Sequence, residues 1–382
     1  MEVRVDYEDL KACFEGLQDP RVIGRTTHPL EAILFLTLCA VLCGMDDWES
    51  IEQWGNNRVQ WLSQFIEVSN GIPSHDTISR VFAALDSAVF QERFLLWMST
   101  LVPSLEGQIV AIDGKTMRGS RQRRCGKQAI HLVSAFVCGH GLTLGQLKTQ
   151  EKSNEITAIP QLIEALDLTG SIVTLDAMGC QKEIAAAIVG KQADYVLALK
   201  GNQDTLCRQV KRLFDTTEWL NYRDFGTMGH ATQGKGHGRR EARRCVAQPA
   251  NALAQADAWT GMQSVVMVES MRHAGDSCTS EKRFYISSLA PDSALLANAI
   301  RSHWEIENRL HWCLDVTFRE DASQIRIAHP PENLNIVRKI AMNLLRLHPL
   351  KRSLPKKRLQ ACLNNDYLAE VMGLSIRTSL IS

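Results

Sequence analysis

Three carboxylates stand in settings that suit metal chemistry. Asp113 closes the apolar run Ile109-Val110-Ala111-Ile112, and Asp176 closes Ile172-Val173-Thr174-Leu175. Glu307 lies in a helical stretch, Arg301-Ser302-His303-Trp304-Glu305-Ile306-Glu307-Asn308. A carboxylate at the C-terminal tip of a buried strand is held rigidly at a sheet edge. Two such tips and one helix carboxylate can hold a pair of divalent ions ~4 Å apart, which make a nucleophile anionic and stabilise the leaving oxygen of a phosphodiester. Mg²⁺ or Mn²⁺ prefers oxygen ligands and keeps several waters, so a few carboxylates suffice. On this reading Asp113 bridges two ions, Asp176 serves one and Glu307 the other. Each residue alone has a plainer reading: an Asp after a strand is commonly a turn or helix cap, and a Glu on a helix is commonly solvated. The joint pattern carries the expectation.

Glu305 and Glu307 compete for the third place. Residues at i, i+4 spacing share a helical face, which groups His303, Glu307, His311 and Asp315 beside an apolar face of Ile306, Leu310, Cys313 and Leu314. Glu307 thus sits at a rim and Glu305 on another side. Zinc would need a spacing such as H-E-x-x-H, which is absent.

Basic residues cluster near these positions. One cluster is Lys115, Arg118, Arg121, Arg123, Arg124 and Lys127; a second is Lys235, His237, Arg239, Arg240, Arg243 and Arg244; a third is Arg352, Lys356, Lys357 and Arg358. Any one suits a solvated loop, while three together in a chain of net charge +1 favour a groove for phosphate backbones. Lys200 is placed for a phosphate contact. Trp304 and Trp312 could stack on bases, with at least one of them expected in the core.

The elements that must position these groups follow from length and periodicity. The chain has 382 residues, 45% hydrophobic and 22% charged, enough for two or three globular domains and not a disordered composition. Eleven cysteines are scattered without a C-x-x-C and read as reduced thiols of a cytoplasmic protein. The most apolar stretch, residues 32–45, is too short to span a bilayer. Residues 1–100 read as all-helical, with an amphipathic helix over 6–17 and a buried helix opened by Pro29. The pattern changes near Pro103. Strands are predicted over 110–113, 130–137, 142–149, 172–176 and 195–199, with helices over 154–166, 180–189 and 203–214. Three antiparallel strands followed by alternating helix and strand is the order of a ribonuclease H-like sheet, in which the first and fourth strands lie side by side and make Asp113 and Asp176 neighbours. Residues 220–290 read as a β-rich insertion. One long helix over 292–315, an amphipathic helix over 332–347 and a basic C-terminal tail, 351–382, with a short last helix complete the α/β chain.

The segments Ala111-Ile112-Asp113-Gly114-Lys115, Thr174-Leu175-Asp176-Ala177-Met178-Gly179, Leu199-Lys200-Gly201-Asn202-Gln203, His237-Gly238-Arg239 and the helix around Glu307 resemble the H-repeat-associated DDE transposases of bacterial insertion sequences. Asp19-Pro20-Arg21 and Gly71-Ile72-Pro73-Ser74-His75-Asp76-Thr77 are similar to that family's N-terminal associated domain. The resemblance implies a ribonuclease H-like catalytic domain over 101–350, with metal ligands Asp113, Asp176 and Glu307 and two Mg²⁺ or Mn²⁺ ions. It implies DNA contacts that include Asn202 and His303 in the matching motifs; related enzymes carry an Arg at the place of His303 and a Lys at the place of Leu314, and this chain departs from both. It also implies double-stranded DNA as substrate, cut at transposon ends and joined to a target through the freed 3′ hydroxyl, with no membrane and with a homodimer holding two ends. Two other readings stay open from the residues alone: a metal-dependent DNA nuclease without strand transfer, and a DNA-binding protein that has lost catalysis.

Overall fold

A computed structural model of the chain describes residues 5–22, 24, 26–120, 129–149, 155–219, 229–236, 239–274, 277–323, 325 and 330–374. Its front is helical: α1 (Tyr7–Glu15), α2 (Leu30–Leu42), α3 (Trp48–Asn56), α4 (Val59–Leu62), α5 (His75–Ala84) and α6 (Ser87–Leu101). Short polar side chains open most of these helices by accepting from orphan amides. Asp6 accepts from Glu8 (3.0 Å), Asp47 from Ser50 (2.9 Å) and Asp86 from Ala88 (2.8 Å). Before α5, Ser74 accepts from the Thr77 amide at 3.3 Å.

Helix α2 is apolar around its whole circumference and accordingly lies in the core, with every residue but Glu31 buried. Phe35, at its centre, is fully buried against the rings of Tyr7, Trp61 and Phe65. Phe35→Ala should destabilise the protein by about 3–5 kcal/mol, the usual cost of an aromatic cavity. Urea denaturation measures it, and a loss below about 1 kcal/mol would contradict the packing described.

From Ile109 onward the chain builds a mixed sheet of β1 (Ile109–Met117), β2 (Ile130–Val137), β3 (Leu142–Lys148), β4 (Ile172–Leu175), β5 (Asp194–Leu199), β6 (Gly229–Gly236), β7 (Arg239–Pro249), β8 (Ser264–Ala274) and β9 (Ser277–Ser287). The order is β3-β2-β1-β4-β5-β9-β8-β7-β6. β1 pairs antiparallel with β2 and parallel with β4, and β4 parallel with β5. These parallel partners need covered crossovers, supplied by α7 (Glu155–Ala165) before β4 and α8 (Lys182–Gly190) before β5. The first and fourth strands are therefore neighbours, as the sequence order requires.

Two strand expectations change. β1 does not end at Asp113 but continues to Met117, because Gly114 to Met117 still pair with β2. β4 stops at Leu175, opposite Ile112, so Asp113 is the first residue of β1 to outrun its parallel neighbour. The β-rich segment is continuous with the sheet: β9 pairs antiparallel with β5, and β8, β7 and β6 follow as a meander.

The stretch expected as one helix over 292–315 is wound in three pieces. Helix α9 (Asp204–Trp219) precedes the meander; α10 (Ser293–His303), capped by Asp292, follows it. A π-helical stretch, Ile306–His311, and α11 (Trp312–Val316) come next. A π-segment widens the coil and shifts which side chains share a face, and such segments are frequent at functional sites.

Helix α12 (Pro330–Leu347) is a central tie. The sequence marks one apolar face, yet residues 330–345 are buried on every side. Many of its polar groups are partnered by protein in place of water, although Asn333 Oδ1, Asn335 Oδ1 and Arg338 Nε are buried without a partner. Asn333 donates to the carbonyls of Phe82 and Leu85 (both 2.9 Å), Asn343 donates to Thr143 O (2.9 Å), and Glu332 accepts from Lys148 (2.6 Å). Lys339 donates to Ser134 Oγ at 2.7 Å and to Gln146. Burial pushes the Lys339 ammonium down to about 7 from its ordinary 10.5. Between these values the unfolded chain holds a proton that the folded chain lacks, so stability rises with pH from about 7 to 10. Lys339→Met should be more stable than wild type at pH 6, and the gap should shrink as pH is raised to 9. Parallel urea curves at the two pH values test this; a gap that widens with pH would contradict it.

The C-terminal basic cluster is corrected at two of its four residues: Arg352 and Lys356 are exposed, whereas Lys357 and Arg358 are buried. Helices α13 (Leu354–Leu363) and α14 (Asn365–Met372) pack on the molecule. Lys357 is buried and donates to the carbonyls of Leu345 (2.6 Å) and His348 (2.8 Å). Arg358 is buried and donates to Val41 O (2.7 Å) and Asp46 Oδ1 (2.7 Å). These two cations cap backbone carbonyls and leave no charge at the surface for phosphate. No helix among the described residues is long and apolar enough to cross a membrane, and the described cysteines are free thiols, most of them buried.

Candidate active site

Strand register brings the two aspartates together. Ile112 and Leu175 are the last paired residues of β1 and β4, and Asp113 and Asp176 follow them side by side. Asp176 opens a tight turn: its Oδ1 accepts from the amides of Met178 (2.9 Å) and Gly179 (3.3 Å). The loop after β5 clamps that turn. Asn202 Nδ2 donates to Ala177 O (2.6 Å) and Gln203 Nε2 to Cys180 O (3.0 Å). Asn202 thus holds the Asp176 turn, while Lys200 beside it is exposed at the cavity wall.

Above the strands run α10 and the π-segment, anchored by the fully buried Ile306 and Leu310. Asp113, Asp176 and Glu307 line one cavity of about 460 Å³, together with Thr174, His303, Lys200 and Arg283. Glu305 is elsewhere: it is ion-paired to Arg309 at 2.6 Å and faces an adjoining cleft of about 640 Å³. That cleft is larger, but it holds none of the three carboxylates.

The cavity is electrostatically strained. Burial, then the charge of Glu155, then Asp176 and Glu307 push the Asp113 carboxyl up to about 7, although the Gly114 amide pulls the other way. Burial also raises Glu307, against the pull of Arg283. His311 Nδ1 lies 3.5 Å from Asp113 Oδ2. Burial and the ammonium groups of Lys339 and Lys115 push His311 down to about 3, so this imidazole is neutral and does not neutralise Asp113. The donors facing the cavity are carboxylate oxygens, the set that Mg²⁺ or Mn²⁺ accepts. Among the described residues no three His, Cys, Asp or Glu side chains converge tightly enough to enclose one ion.

The other sequence-marked residues divide. His303 Nδ1 is 3.0 Å from Thr174 Oγ1, so the ring braces β4 under Asp176. Lys115 is mostly buried, with its ammonium 2.7 Å from both Asp315 and Glu320. Arg118 is 84% exposed, with its backbone amide on Asp321 (3.1 Å). Neither tryptophan is core, contrary to expectation: Trp304 is 39% and Trp312 56% exposed, and the Arg283 guanidinium lies 5.2 Å from the Trp304 ring centre. Arg239 lies in β7, whereas His237 and the cluster Arg121, Arg123, Arg124 and Lys127 fall outside the described residues.

Several neighbours carry no mark in the sequence. Glu155 and His131 stand beside Gly114, and Glu320 is buried under Lys115. Burial alone would raise Glu320, yet Lys115 and Arg338 bring it below its ordinary value. Only the helical face containing His303 and Glu307 pointed to His311.

Residues 11–98 match the DDE_Tnp_1-associated family and residues 104–344 the family described as Transposase DDE domain. The chain is 42% identical over 363 residues to "Putative transposase YncI" of Escherichia coli O157:H7, which covers 94% of this chain and 92% of that protein. It is 39% identical over 375 residues to "H repeat-associated putative transposase YhhI" of Escherichia coli strain K12, covering 96% and 98% of the two chains. A solved piggyBac transposase synaptic complex with hairpin DNA is similar over 97% of this chain and 82% of that one, at 10% identity and a TM-score of 0.47, a looser likeness.

Proposed function

The chain belongs to the transposase DDE domain family and, within it, to the H repeat-associated group, and from that premise we propose that it cuts DNA at the ends of its element and joins the freed 3′ hydroxyl to target DNA. The catalytic groups of this reading are Asp113, Asp176 and Glu307. The observation that carries it is their common cavity, with both aspartates at the point where β1 outruns β4 and Glu307 on the π-segment above. The strand order β3-β2-β1-β4-β5, with the pairing senses described, supports a ribonuclease H-like core extended by the meander.

In this reading Asp113, Asp176 and Glu307 hold Mg²⁺ or Mn²⁺, as two ions. When bound, the ions supply charge for activating the attacking hydroxyl or water and for stabilising the leaving oxygen. The protein's own groups do the rest. The Asp176 turn is fixed by Asn202, and the Thr174–His303 contact fixes β4 under the carboxylates. Exposed Lys200 and Trp304 line the cavity and, with exposed Arg118 at the end of β1, would meet the phosphate backbone and bases. Arg239, in β7, is a further candidate contact of this reading. Lys115 and His303 act from inside and shape the site, and exposed Asn202 does so through the Asp176 turn. Two ends must be held together for joining, so a homodimer on DNA is part of the proposal.

The experiment is end cleavage and strand transfer with labelled element-end DNA and Mg²⁺. Wild type should yield both nicked ends and joined products, and Glu305→Gln should retain most of both. Cleavage without any joined product would replace this reading by a nuclease. A loss in Glu305→Gln as large as in Glu307→Gln would move the third ligand to residue 305.

A further inference from the structure

A further carboxylate stands against Gly114, the residue after Asp113. Glu155 is the first residue of α7, its side chain only 13% exposed, and its Oε1 is 2.7 Å from His131 Nε2. The other ring nitrogen of His131 is 2.9 Å from the Thr116 hydroxyl, and Thr116 and His131 face each other across β1 and β2. The sheet therefore orients the imidazole: with Thr116 donating to Nδ1, Nε2 carries the proton given to Glu155. This hydrogen-bonded set lies against Gly114, next to Asp113. A Cβ at Gly114 would fall 2.1 Å from Glu155 Oε1 and 2.4 Å from His131 Nε2, so a glycine is required for the pair to approach β1.

A helix-opening glutamate is stabilised by the helix dipole alone and has no need of this place. Here it is carried to the backbone of Gly114, the residue that follows a buried aspartate. Two mostly buried carboxylates, one held by a single imidazole, are unfavourable together unless a cation joins them.

We propose that Glu155 is a fourth carboxylate ligand of the divalent-cation site centred on Asp113, with His131 as the residue that positions it. The proposal rests on the reading of Asp113 as a metal ligand. It assigns Gly114 a role in the Asp113-Gly114-Lys115 segment: the glycine admits Glu155.

The test is Mn²⁺ titration calorimetry on the full chain without DNA, with thermal melting to confirm folding. Glu155→Gln, which keeps the shape and one acceptor, should weaken Mn²⁺ binding about tenfold or more, and Asp113→Asn should weaken it further. His131→Ala should weaken binding in the wild-type background and have no added effect in Glu155→Gln; a merely structural histidine would cost the same in both. Unchanged Mn²⁺ affinity in Glu155→Gln, with the loss in Asp113→Asn present, overturns this proposal and leaves the three-carboxylate reading standing. Unchanged affinity in both variants overturns the two together. Gly114→Ala is the independent variant: it leaves every carboxylate in the chain and should weaken Mn²⁺ binding by displacing Glu155.

Discussion

Asp113→Asn should lower strand cleavage and strand transfer by roughly a thousandfold or more while leaving the protein folded, and more stable than wild type at pH 8 without divalent ions. The two halves have one cause. Asp113 is pushed up to about 7 by burial and by Glu155, Asp176 and Glu307. A raised carboxyl contributes stability that is fully present below its unfolded value near 3.8 and is lost as pH rises through about 7. Above that pH the wild-type protein must hold an uncompensated anion, a cost on the order of a few kcal/mol, and the amide removes it. Mg²⁺ should reverse the ranking by binding the folded wild type and not the variant. Stability curves at pH 5 and pH 8, with and without Mg²⁺, beside the cleavage assay, measure all of this. A variant that loses cleavage because it unfolds, or that keeps cleavage, would contradict the assignment.

Arg358→Ala should be among the most damaging single changes outside the site, at about 3–5 kcal/mol. Arg358 donates to Val41 O at 2.7 Å, to Asp46 at 2.7 Å and to Thr317 O, and its guanidinium stacks 4.3 Å from the Phe318 ring centre. Burial already pushes Asp46 above its ordinary value, against the pull of Arg358. Removing the arginine leaves that carboxylate and the Thr317 carbonyl without this donor, while the Val41 carbonyl keeps the Gly44 amide at 3.1 Å. Arg358→Lys keeps the charge but loses the planar fork, so it should recover only part of the loss. Urea midpoints rank the three proteins. An Arg358→Ala protein as stable as wild type, with weakened DNA binding, would return this residue to the surface role its sequence neighbourhood favours.

These two residues also mark where sequence reading succeeds and where it stops. Asp113 and Asp176 were legible because each ends an apolar run, and strand order alone made them neighbours. Glu307 was legible from helical spacing beside an apolar face, even though the helix is locally π-wound and the spacing argument assumed regular geometry. Arg358 and Lys357 were misread because a basic run looks the same whether its charges face water or cap buried carbonyls. Lys115 looks like a phosphate contact until Asp315 and Glu320, distant in sequence, close on it. Glu155 carried no mark because its relation to Asp113 is made only when α7 is laid against β2 and β3. The polar side of α12 reads as solvated until both the helical front and the sheet are packed on it.

The central claim is that Asp113, Asp176 and Glu307 hold the metal ions of a DNA-cleaving site. Anomalous diffraction from crystals of the full chain soaked in Mn²⁺ tests it most directly. The account predicts anomalous peaks within the cavity bounded by these three carboxylates, absent from Asp113→Asn crystals soaked in the same way. Mn²⁺ peaks only at other carboxylates, or peaks in this cavity that persist in Asp113→Asn, would contradict it.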